Sequence, residues 1–431
     1  MFRFAAHPQS KTPRLRQIGL VALACSVLIV SGCGGGNRKK EYMPERIVSF
    51  GDENSAMTTG NASGTTIQGL VYTVNNLVSL NSISNPIKYC LEIGDSAACA
   101  SNSAAGLISY VAKDLPGVTP PTPTTSLGLG TGGATFDGVT QPNFVTFTQI
   151  GNGTYLSIPS NPSSPQTQAD TKRTWVLAYS CASNSIWTQV IAHGFGKGYQ
   201  TACPLEANGN AVTYAVYGAK VAGLTAQVAQ ADLRDGTLVT IMAGQNDILE
   251  QYEAAKVGTI TEAQAIAELE ARAEAMANMV INIINTGSKV VLALTPDLGK
   301  SPKGAATGEN STMLTTLTTA FNNRLTYGRN GSRTWPGAGR SITTVDASQV
   351  TRGLVGVVDG VALCDPAKAM RPDGTFETAP DLQLQYCTNL TSNFVANGSA
   401  ATYMWADSTH FATLGHVQIG SAGLSRAANQ F

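Results

Sequence analysis

Charged side chains are scarce in this sequence, and neither sign is in excess. Of 431 residues, only 13% are Asp, Glu, Lys or Arg, with 28 basic and 28 acidic side chains. So balanced a composition provides no positive field to concentrate a polyanion, which argues against a nucleic-acid partner. Hydrophobic residues make up 43% of the chain, and this excludes disorder over its whole length.

The apolar run near the N-terminus is too short to cross a bilayer as a helix. It extends from Ile18 to Val30, 13 residues, whereas a spanning helix needs about 20. Four basic and no acidic side chains precede Cys33, a pattern typical of an export signal. We therefore expect residues 1–32 to be a cleaved signal peptide. The remaining chain then has 24 basic and 28 acidic side chains, a formal charge of −4.

The residues that end this run point to a lipid anchor. Val30-Ser31-Gly32-Cys33 resembles the lipobox of bacterial lipoproteins, in which the cysteine is lipidated after cleavage. The resemblance implies membrane attachment through Cys33, with residues 33–45 as a flexible tether. Because no Asp follows Cys33, it also implies the outer membrane or a periplasm-facing position. The alternative is an ordinary secreted protein with small residues at its cleavage site.

The cysteine count agrees with export. Six cysteines follow Cys33, namely Cys90, Cys99, Cys181, Cys203, Cys364 and Cys387. Cysteines of exported proteins usually form disulfides, and six allow 15 connectivities. Pairing each cysteine with its sequence neighbour closes the shortest loops, but the sequence leaves the connectivity open. No cysteine has the spacing with His that a metal site requires, so we expect no metal.

Short apolar segments alternate with longer helical patterns over most of the chain. Strands are predicted at 46–50, 238–243, 289–294 and 341–345, and helices at 186–192, 221–233, 261–285, 313–327 and 414–428. This alternation predicts parallel strands joined by helices, hence a three-layer α/β sheet. Residues 56–180 are rich in Ser, Thr, Asn, Gly and Pro, and we expect a loop-rich insertion there, with short strands at 144–148 and 175–179.

In such a sheet ligands bind beyond the carboxyl ends of the strands, and four segments stand out, two of which follow the predicted strands at 46–50 and 238–243. They are Phe50-Gly51-Asp52-Glu53-Asn54-Ser55, Thr213-Tyr214-Ala215-Val216-Tyr217-Gly218-Ala219, Ala243-Gly244-Gln245-Asn246-Asp247 and Trp405-Ala406-Asp407-Ser408-Thr409-His410. In this order they resemble the four sequence blocks of the SGNH (GDSL) hydrolases. That family comprises esterases and lipases with a flavodoxin-like α/β fold.

The resemblance implies a fold, an activity and roles for named residues. It implies an SGNH hydrolase-like domain over residues 46–431, acting on a small-molecule or lipid ester without a cofactor. His410 would be the general base and Asp407 would orient its imidazole. Gly218 and Asn246 would donate hydrogen bonds to the oxyanion of the tetrahedral intermediate. The sequence leaves the oligomeric state open.

The chain departs from the family at the nucleophile. The family has Ser directly after Gly-Asp, where this chain has Glu53. A carboxylate is a poor nucleophile toward an ester, and we expect Glu53 to pair with protonated His410 and to fill the oxyanion hole.

Three hypotheses follow from this substitution. Ser55, near the start of an expected helix, replaces the missing hydroxyl, which is our first choice. Alternatively, the protein is an inactive member that binds an acyl or glycan ligand, with Glu53 at a helix N-terminus. The third hypothesis makes Glu53 a general base for water and His410 an acid.

A second Gly-Asp-Ser occurs at Gly94-Asp95-Ser96. It lies between Cys90 and Cys99, and no helix-forming run follows it. This context favours a disulfide-bounded turn, with Ser96 as a further candidate serine.

Overall fold

The structure is a computed structural model that describes part of the chain. It describes residues 42–62, 65–79, 123–124, 135–136, 139–140, 147–150, 153–156, 177–179, 181–182, 186–203, 206, 209–328, 340–350, 354–368, 378, 383–389 and 393–431. The predicted signal peptide, the predicted lipidation site Cys33, most of the predicted tether, Cys90, Cys99 and Ser96 lie outside these residues.

The described strands comprise one central sheet and several small ladders. In chain order they are β1 (Arg46–Gly51), β2 (Met57–Ala62), β3 (Thr65–Val71), β4 (Leu77–Ser79), β5 (Pro123–Thr124), β6 (Thr135–Phe136), β7 (Val139–Thr140), β8 (Phe147–Ile150), β9 (Gly153–Leu156), β10 (Leu177–Tyr179), β11 (Ala211–Thr213), β12 (Thr237–Met242), β13 (Lys289–Ala293), β14 (Ile342–Val345), β15 (Val358–Ala362) and β16 (Tyr403–Trp405). The predicted short strands at 144–148 and 175–179 correspond to β8 and β10, which begin two to three residues later.

The central sheet is parallel throughout and has the order β11-β1-β12-β13-β14. Counted along the chain, β1 is the first strand of this sheet and β11 is the second, and β11 lies at the edge beside β1. The order is therefore 2-1-3-4-5, as in flavodoxin-like folds. In that topology the ligand crevice opens where the order reverses, beside β1. The predicted parallel α/β sheet is therefore confirmed.

Helices cover both faces of this sheet. In chain order they are α1 (Trp187–Gly194), α2 (Val221–Val228), α3 (Gln245–Lys256), α4 (Glu262–Asn285), α5 (Pro302–Ala305), α6 (Ser311–Tyr327) and α7 (Thr413–Gln430). Helices α1 and α7 pack together on one face, while α2, α3, α4 and α6 share the opposite core with β1, β12 and β13. The sheet and the helices on its two faces therefore form three layers. Among the described residues, no helix has both the length and the apolar composition that crossing a bilayer requires.

The longest helix shows how the local sequence sets its bounds. Thr261 is the N-cap of α4: its hydroxyl accepts from the Gln264 backbone N–H at 3.2 Å, and Gln264 Oε1 accepts from the Thr261 N–H at 2.8 Å. Such a reciprocal box satisfies two donors at a helix start. Buried residues such as Leu269, Met276 and Ile283 recur at helical spacing and face the core. The prediction of a helix over 261–285 is confirmed.

Two predicted elements differ from the structure. No helix follows the turn at Ser55, because Met57–Ala62 pairs with Thr65–Val71 in an antiparallel ladder. Thr residues recur in both strands, and their β-branched side chains favour an extended backbone. Helix α2 ends at Val228 rather than Leu233, since the chain turns after Ala229 and Leu233 packs against the core from outside the helix.

Two disulfides are present in the described residues. Cys181 pairs with Cys203 and Cys364 pairs with Cys387. Both join sequence neighbours, as the shortest-loop pairing predicts. The second bridge joins the segment after β15 to residues 383–387, close to the turn that contains Asp407 and His410.

Candidate active site

The turn after β1 brings Glu53 to the carboxyl end of the sheet. A Cβ at Gly51, whose φ is 139°, would lie 2.0 Å from the Met242 carbonyl oxygen, so only glycine allows β1 and β12 to end this close. The Asp52 N–H donates to that carbonyl at 3.2 Å, and Asp52 Oδ1 accepts from the Asn54 N–H at 3.0 Å. The backbone therefore turns sharply, and Glu53 follows the strand directly.

The Glu53 carboxylate is surrounded by hydrogen-bond donors from three other segments. Its Oε2 accepts from the Gly218 N–H and from Asn246 Nδ2, both at 2.9 Å. Its Oε1 lies 3.1 Å from Asn246 Nδ2, 3.3 Å from Gln245 Nε2 and 3.2 Å from His410 Nε2. Only 2% of Glu53 is exposed. The two proposed oxyanion donors thus converge on one point, and the Glu53 carboxylate is at that point.

His410 connects Glu53 to a second carboxylate. Its Nδ1 lies 2.7 Å from Asp407 Oδ2, while Asp407 Oδ1 accepts from the backbone N–H groups of Thr409 and His410 at 2.9 and 2.7 Å. These bonds hold the turn after β16 so that the imidazole lies between two carboxylates. The expectation that the i, i+3 spacing brings Asp407 and His410 together is confirmed by this contact.

The charges in this cluster favour an ion pair. Burial alone would raise the pKa of Glu53, but the hydrogen bond and charge of His410 and the Asn246 amide lower it overall. Burial would lower the pKa of His410, but Asp407 and Glu53 together raise it well above its ordinary value. At neutral pH, Glu53 is therefore a carboxylate and His410 an imidazolium that donates from both ring nitrogens.

Burial has a different net effect on the neighbouring Asp52. Burial and the charge of Glu53 raise its pKa well above the ordinary value, and bonds from Asn54 offset this only in part. Among the described residues, Asp52 Oδ2 has no hydrogen-bond partner. The raised pKa of Asp52 favours its protonated form, in which it adds no second negative charge beside Glu53.

Ser55 is joined to this turn through its backbone, and the described contact of its hydroxyl is with neither Glu53 nor His410. It is fully buried, and its Oγ accepts from the Trp187 indole N–H at 3.1 Å. Strand β2 begins two residues later, so the expected helix that would present Ser55 or stabilise Glu53 is absent from this turn. Ser55 as the replacement nucleophile therefore stays a prediction, and the described contact of its hydroxyl is with Trp187 and not with His410.

Sequence reasoning missed two residues that support the oxyanion donors. Asp247, 1% exposed, accepts from the Val221 N–H at 2.9 Å and from Arg272 Nη1 at 3.0 Å. Val221 begins the helix that follows Gly218, so Asp247 ties this loop to the helix that contains Asn246. The acidic residue in Gly-Gln-Asn-Asp was visible in the sequence, but its partner Arg272 lies 25 residues further on.

Two tyrosines form a wall beside the imidazole. Tyr72, just after β3, has its ring centroid 6.4 Å from that of His410 and 4.5 Å from that of Tyr217. Tyr217 and Val216 are 38% and 55% exposed and directly precede Gly218. Tyr72 lies within the predicted insertion at 56–180, so part of this segment contributes to the site.

Comparison with a known family covers the part of the chain that contains three of the four blocks. The sequence model of the GDSL-like Lipase/Acylhydrolase family matches residues 91–421, about three quarters of the chain. The match contains Gly218, Asn246, Asp407 and His410 but begins after β1 and Glu53. It begins just before Gly94-Asp95-Ser96, a segment outside the described residues. A search of curated proteins gave no match.

Proposed function

Since the chain belongs to the GDSL-like lipase/acylhydrolase family, we propose that it hydrolyses carboxylic esters with Glu53 in place of the family's serine. Family membership supports ester hydrolysis in general. The role of Glu53 rests on one observation, the contact of its carboxylate with His410 Nε2 and with both oxyanion donors. In this mechanism Glu53 is a general base toward water, and His410 is the general acid.

In the first step the ester carbonyl oxygen replaces a Glu53 carboxylate oxygen at the two hydrogen-bond donors. Glu53 rotates away from the Gly218 N–H and the Asn246 amide, and the ester carbonyl oxygen accepts those hydrogen bonds. A water molecule then attacks the carbonyl carbon while Glu53 takes one of its protons. The two donors stabilise the resulting oxyanion, each contributing about 3 kcal/mol.

The second step releases the alcohol. The tetrahedral intermediate collapses, the carbon–oxygen bond to the alcohol breaks, and His410 Nε2–H gives its proton to the leaving oxygen. The proton on Glu53 then passes to His410, which restores the ion pair. One ester and one water give one carboxylic acid and one alcohol, and no acyl-enzyme forms.

Variants at the site test this assignment with p-nitrophenyl acyl esters as substrates. We expect Glu53→Gln and His410→Asn to lower kcat by about 10²- to 10⁴-fold, the usual contribution of a general base or acid. Ser55→Ala is the matched control, because its hydroxyl contacts Trp187 and not the imidazole. Loss of activity in the Ser55 variant, with Glu53→Gln unaffected, would refute the proposal.

The pH profile separates this mechanism from a serine mechanism. A Glu53 base must be ionised and a His410 acid protonated, so kcat falls below the lowered pKa of Glu53 and above the raised pKa of His410. A serine nucleophile needs neutral His410, and its rate would rise over the same alkaline range. A rate that increases as His410 loses its proton contradicts the proposal.

Covalent labelling identifies any reactive serine directly. We expect a fluorophosphonate to leave the folded protein unmodified, because no serine hydroxyl takes part in the mechanism. Peptide mass mapping would show an adduct at Ser55 or at Ser96 if either is the nucleophile. A stoichiometric adduct at either serine would show that this serine is the nucleophile and would refute the role proposed for Glu53.

A second candidate function is binding without catalysis. It is favoured by the position of the Glu53 carboxylate, which uses both oxyanion donors and would exclude a substrate carbonyl if it stayed there. An inactive protein would then bind an acyl or glycan ligand, and Glu53→Ser would restore the family motif. Hydrolysis by Glu53→Ser together with an inactive, folded wild type would favour this second function.

We also propose that the protein is exported and lipid-anchored through Cys33 at the cell envelope. The lipobox-like residues 30–33 and the basic N-terminus support this location. Metabolic labelling with an alkyne fatty acid in a bacterial host should modify the wild type and not Cys33→Ser. Equal labelling of both proteins would refute the anchor.

A further inference from the structure

We propose that Gln245 is a positioning residue for the general base, because its amide holds one carboxylate oxygen of Glu53 while the other oxygen leaves the oxyanion donors. The inference rests on the proposed ester hydrolysis and adds a residue to its mechanism. Gln245 lies between Gly244 and Asn246 in the third of the four sequence blocks, and it is the first residue of α3. Only 1% of it is exposed, so its amide must find its partners within the protein.

The two oxygens of the Glu53 carboxylate have different partners. The Gly218 N–H donates to Oε2 at 2.9 Å, whereas Gln245 Nε2 and His410 Nε2 lie 3.3 and 3.2 Å from Oε1. Asn246 Nδ2 lies 3.1 Å from Oε1 and 2.9 Å from Oε2. A substrate carbonyl that takes the oxyanion donors therefore displaces Oε2, while Oε1 keeps the glutamine and the imidazole. The carboxylate can turn about Oε1, and Oε2 is then free to take a proton from water.

A chain of hydrogen bonds fixes the orientation of the Gln245 amide. A carboxylate only accepts hydrogen bonds, so the part of the amide that faces Glu53 is its NH₂ group. Gln245 Oε1 then accepts from Asn54 Nδ2 at 3.2 Å. Asn54 Nδ2 also donates to Asp52 Oδ1 at 3.1 Å, and the Asn54 backbone N–H donates to the same oxygen at 3.0 Å. The turn after β1 therefore keeps an N–H donor directed at its own glutamate.

A second buried glutamine beside the same turn provides a comparison. Gln227 is 3% exposed, and its amide bonds to the N–H and to the carbonyl of Gly51, each at 2.9 Å. Its described contacts are thus with the backbone, whereas Gln245 contacts the carboxylate of Glu53. If Gln245 only supported the turn, its loss and the loss of Gln227 would have the same consequences.

The pKa of Glu53 tests the contact without requiring hydrolysis. A donor to a carboxylate stabilises its charged form, so Gln245→Met should raise the pKa of Glu53 by about one unit. NMR titration of folded protein with isotope-labelled glutamate measures this shift, and the signal of Glu53 is the one that Glu53→Gln lacks. Gln227→Met is the matched control, which should lower the free energy of unfolding but leave the pKa of Glu53 unchanged. An unchanged pKa in Gln245→Met, or an equal shift in Gln227→Met, would overturn the proposal.

Kinetics test the effect on the base. Because Gln245 acts through Glu53 and not on the substrate, Gln245→Met should lower kcat about tenfold and change KM less than about twofold. The acid limb of the kcat profile should move to higher pH together with the pKa of Glu53, and Gln227→Met should leave this limb in place. A loss confined to KM, or an acid limb that does not move, contradicts the positioning role.

Two further controls keep the outcomes separate. If Gln245→Met does not fold, Gln245→Asn takes its place, because it keeps the amide but withdraws it from Glu53 by one methylene. If the wild type hydrolyses no ester, the proposed function fails, whereas the NMR titration still decides whether Gln245 holds the Glu53 carboxylate. A failure of the proposed function is therefore distinguishable from a failure of the role assigned to Gln245.

Discussion

Replacing Glu53 by Gln should destabilise the protein in a pH-dependent way. Glutamine keeps the shape and one acceptor oxygen for the Gly218 and Asn246 donors, but it removes the negative charge. The imidazolium of His410 then keeps only Asp407 as its anionic partner. The substitution therefore tests the ion pair with little change in packing.

The magnitude follows from the contact distance and burial. Two unit charges at the 3.2 Å separation of His410 Nε2 and Glu53 Oε1 attract by about 5 kcal/mol at an effective dielectric constant of about 20. Desolvation offsets part of this attraction, whereas removing one partner of a buried pair usually costs about 3 to 5 kcal/mol. Because Asp407 remains beside the imidazolium, we expect a loss of about 3 kcal/mol in the free energy of unfolding.

The loss depends on pH because both charges must be present. The pKa of His410 is raised, so its contribution is complete below its ordinary value of 6.5 and disappears as the pH rises through the raised pKa. The pKa of Glu53 is lowered, so its contribution is present above 4.5 and disappears as the pH falls through the lowered pKa. The difference between wild type and Glu53→Gln should therefore be largest near pH 6. At high pH it should decrease to about 1 kcal/mol, the value of a neutral hydrogen bond.

Urea denaturation between pH 4 and 10, with the disulfides intact, measures this difference. Ser55→Ala is again the control, because the hydrogen bond that it loses joins two uncharged groups and should cost about 1 kcal/mol at every pH. A difference for Glu53→Gln that stays constant over the range would refute the ion pair. A variant more stable than the wild type at pH 6 would refute it as well.

Three further predictions concern the support of the site. Asp407→Asn should lower the pKa of His410, which Asp407 raises, and this is measured by NMR titration of the imidazole; an unchanged pKa contradicts the assigned contact. Arg272→Met should leave Asp247 buried without its cationic partner and lower the free energy of unfolding by about 3 kcal/mol. Because Asp247 positions the oxyanion donors, the substitution should affect kcat more strongly than KM, and a change in KM alone would refute this positioning role. Cys364→Ser should lower stability by about 3 kcal/mol in denaturation experiments, because the bridge closes a loop with a sequence separation of 23, and Cys387→Ser should match it; equal stability of the wild type and both variants would contradict this.

The order of most strands and helices could be predicted from the sequence. Apolar runs at 46–50, 238–243 and 289–294 predicted strands because a parallel strand buried on both faces has little room for polar side chains. The helix predicted over 261–285 matches α4, for which Thr261 is the N-cap. The helix expected after Ser55 was wrong because this segment has its pairing partner at 65–71, and nothing within the segment itself specifies that partner.

The sequence alone, through its resemblance to the SGNH hydrolases, predicted which residues meet at the site. It therefore identified Glu53, Gly218, Asn246, Asp407 and His410 together. Only the tertiary structure decided what their contacts are. Whether the serine two residues after Glu53 faces the imidazole depends on the direction of one turn, and the structure directs that hydroxyl to an indole. The charge states of Glu53 and His410 likewise depend on burial and on distances of about 3 Å across 357 positions of sequence, which local pattern does not encode.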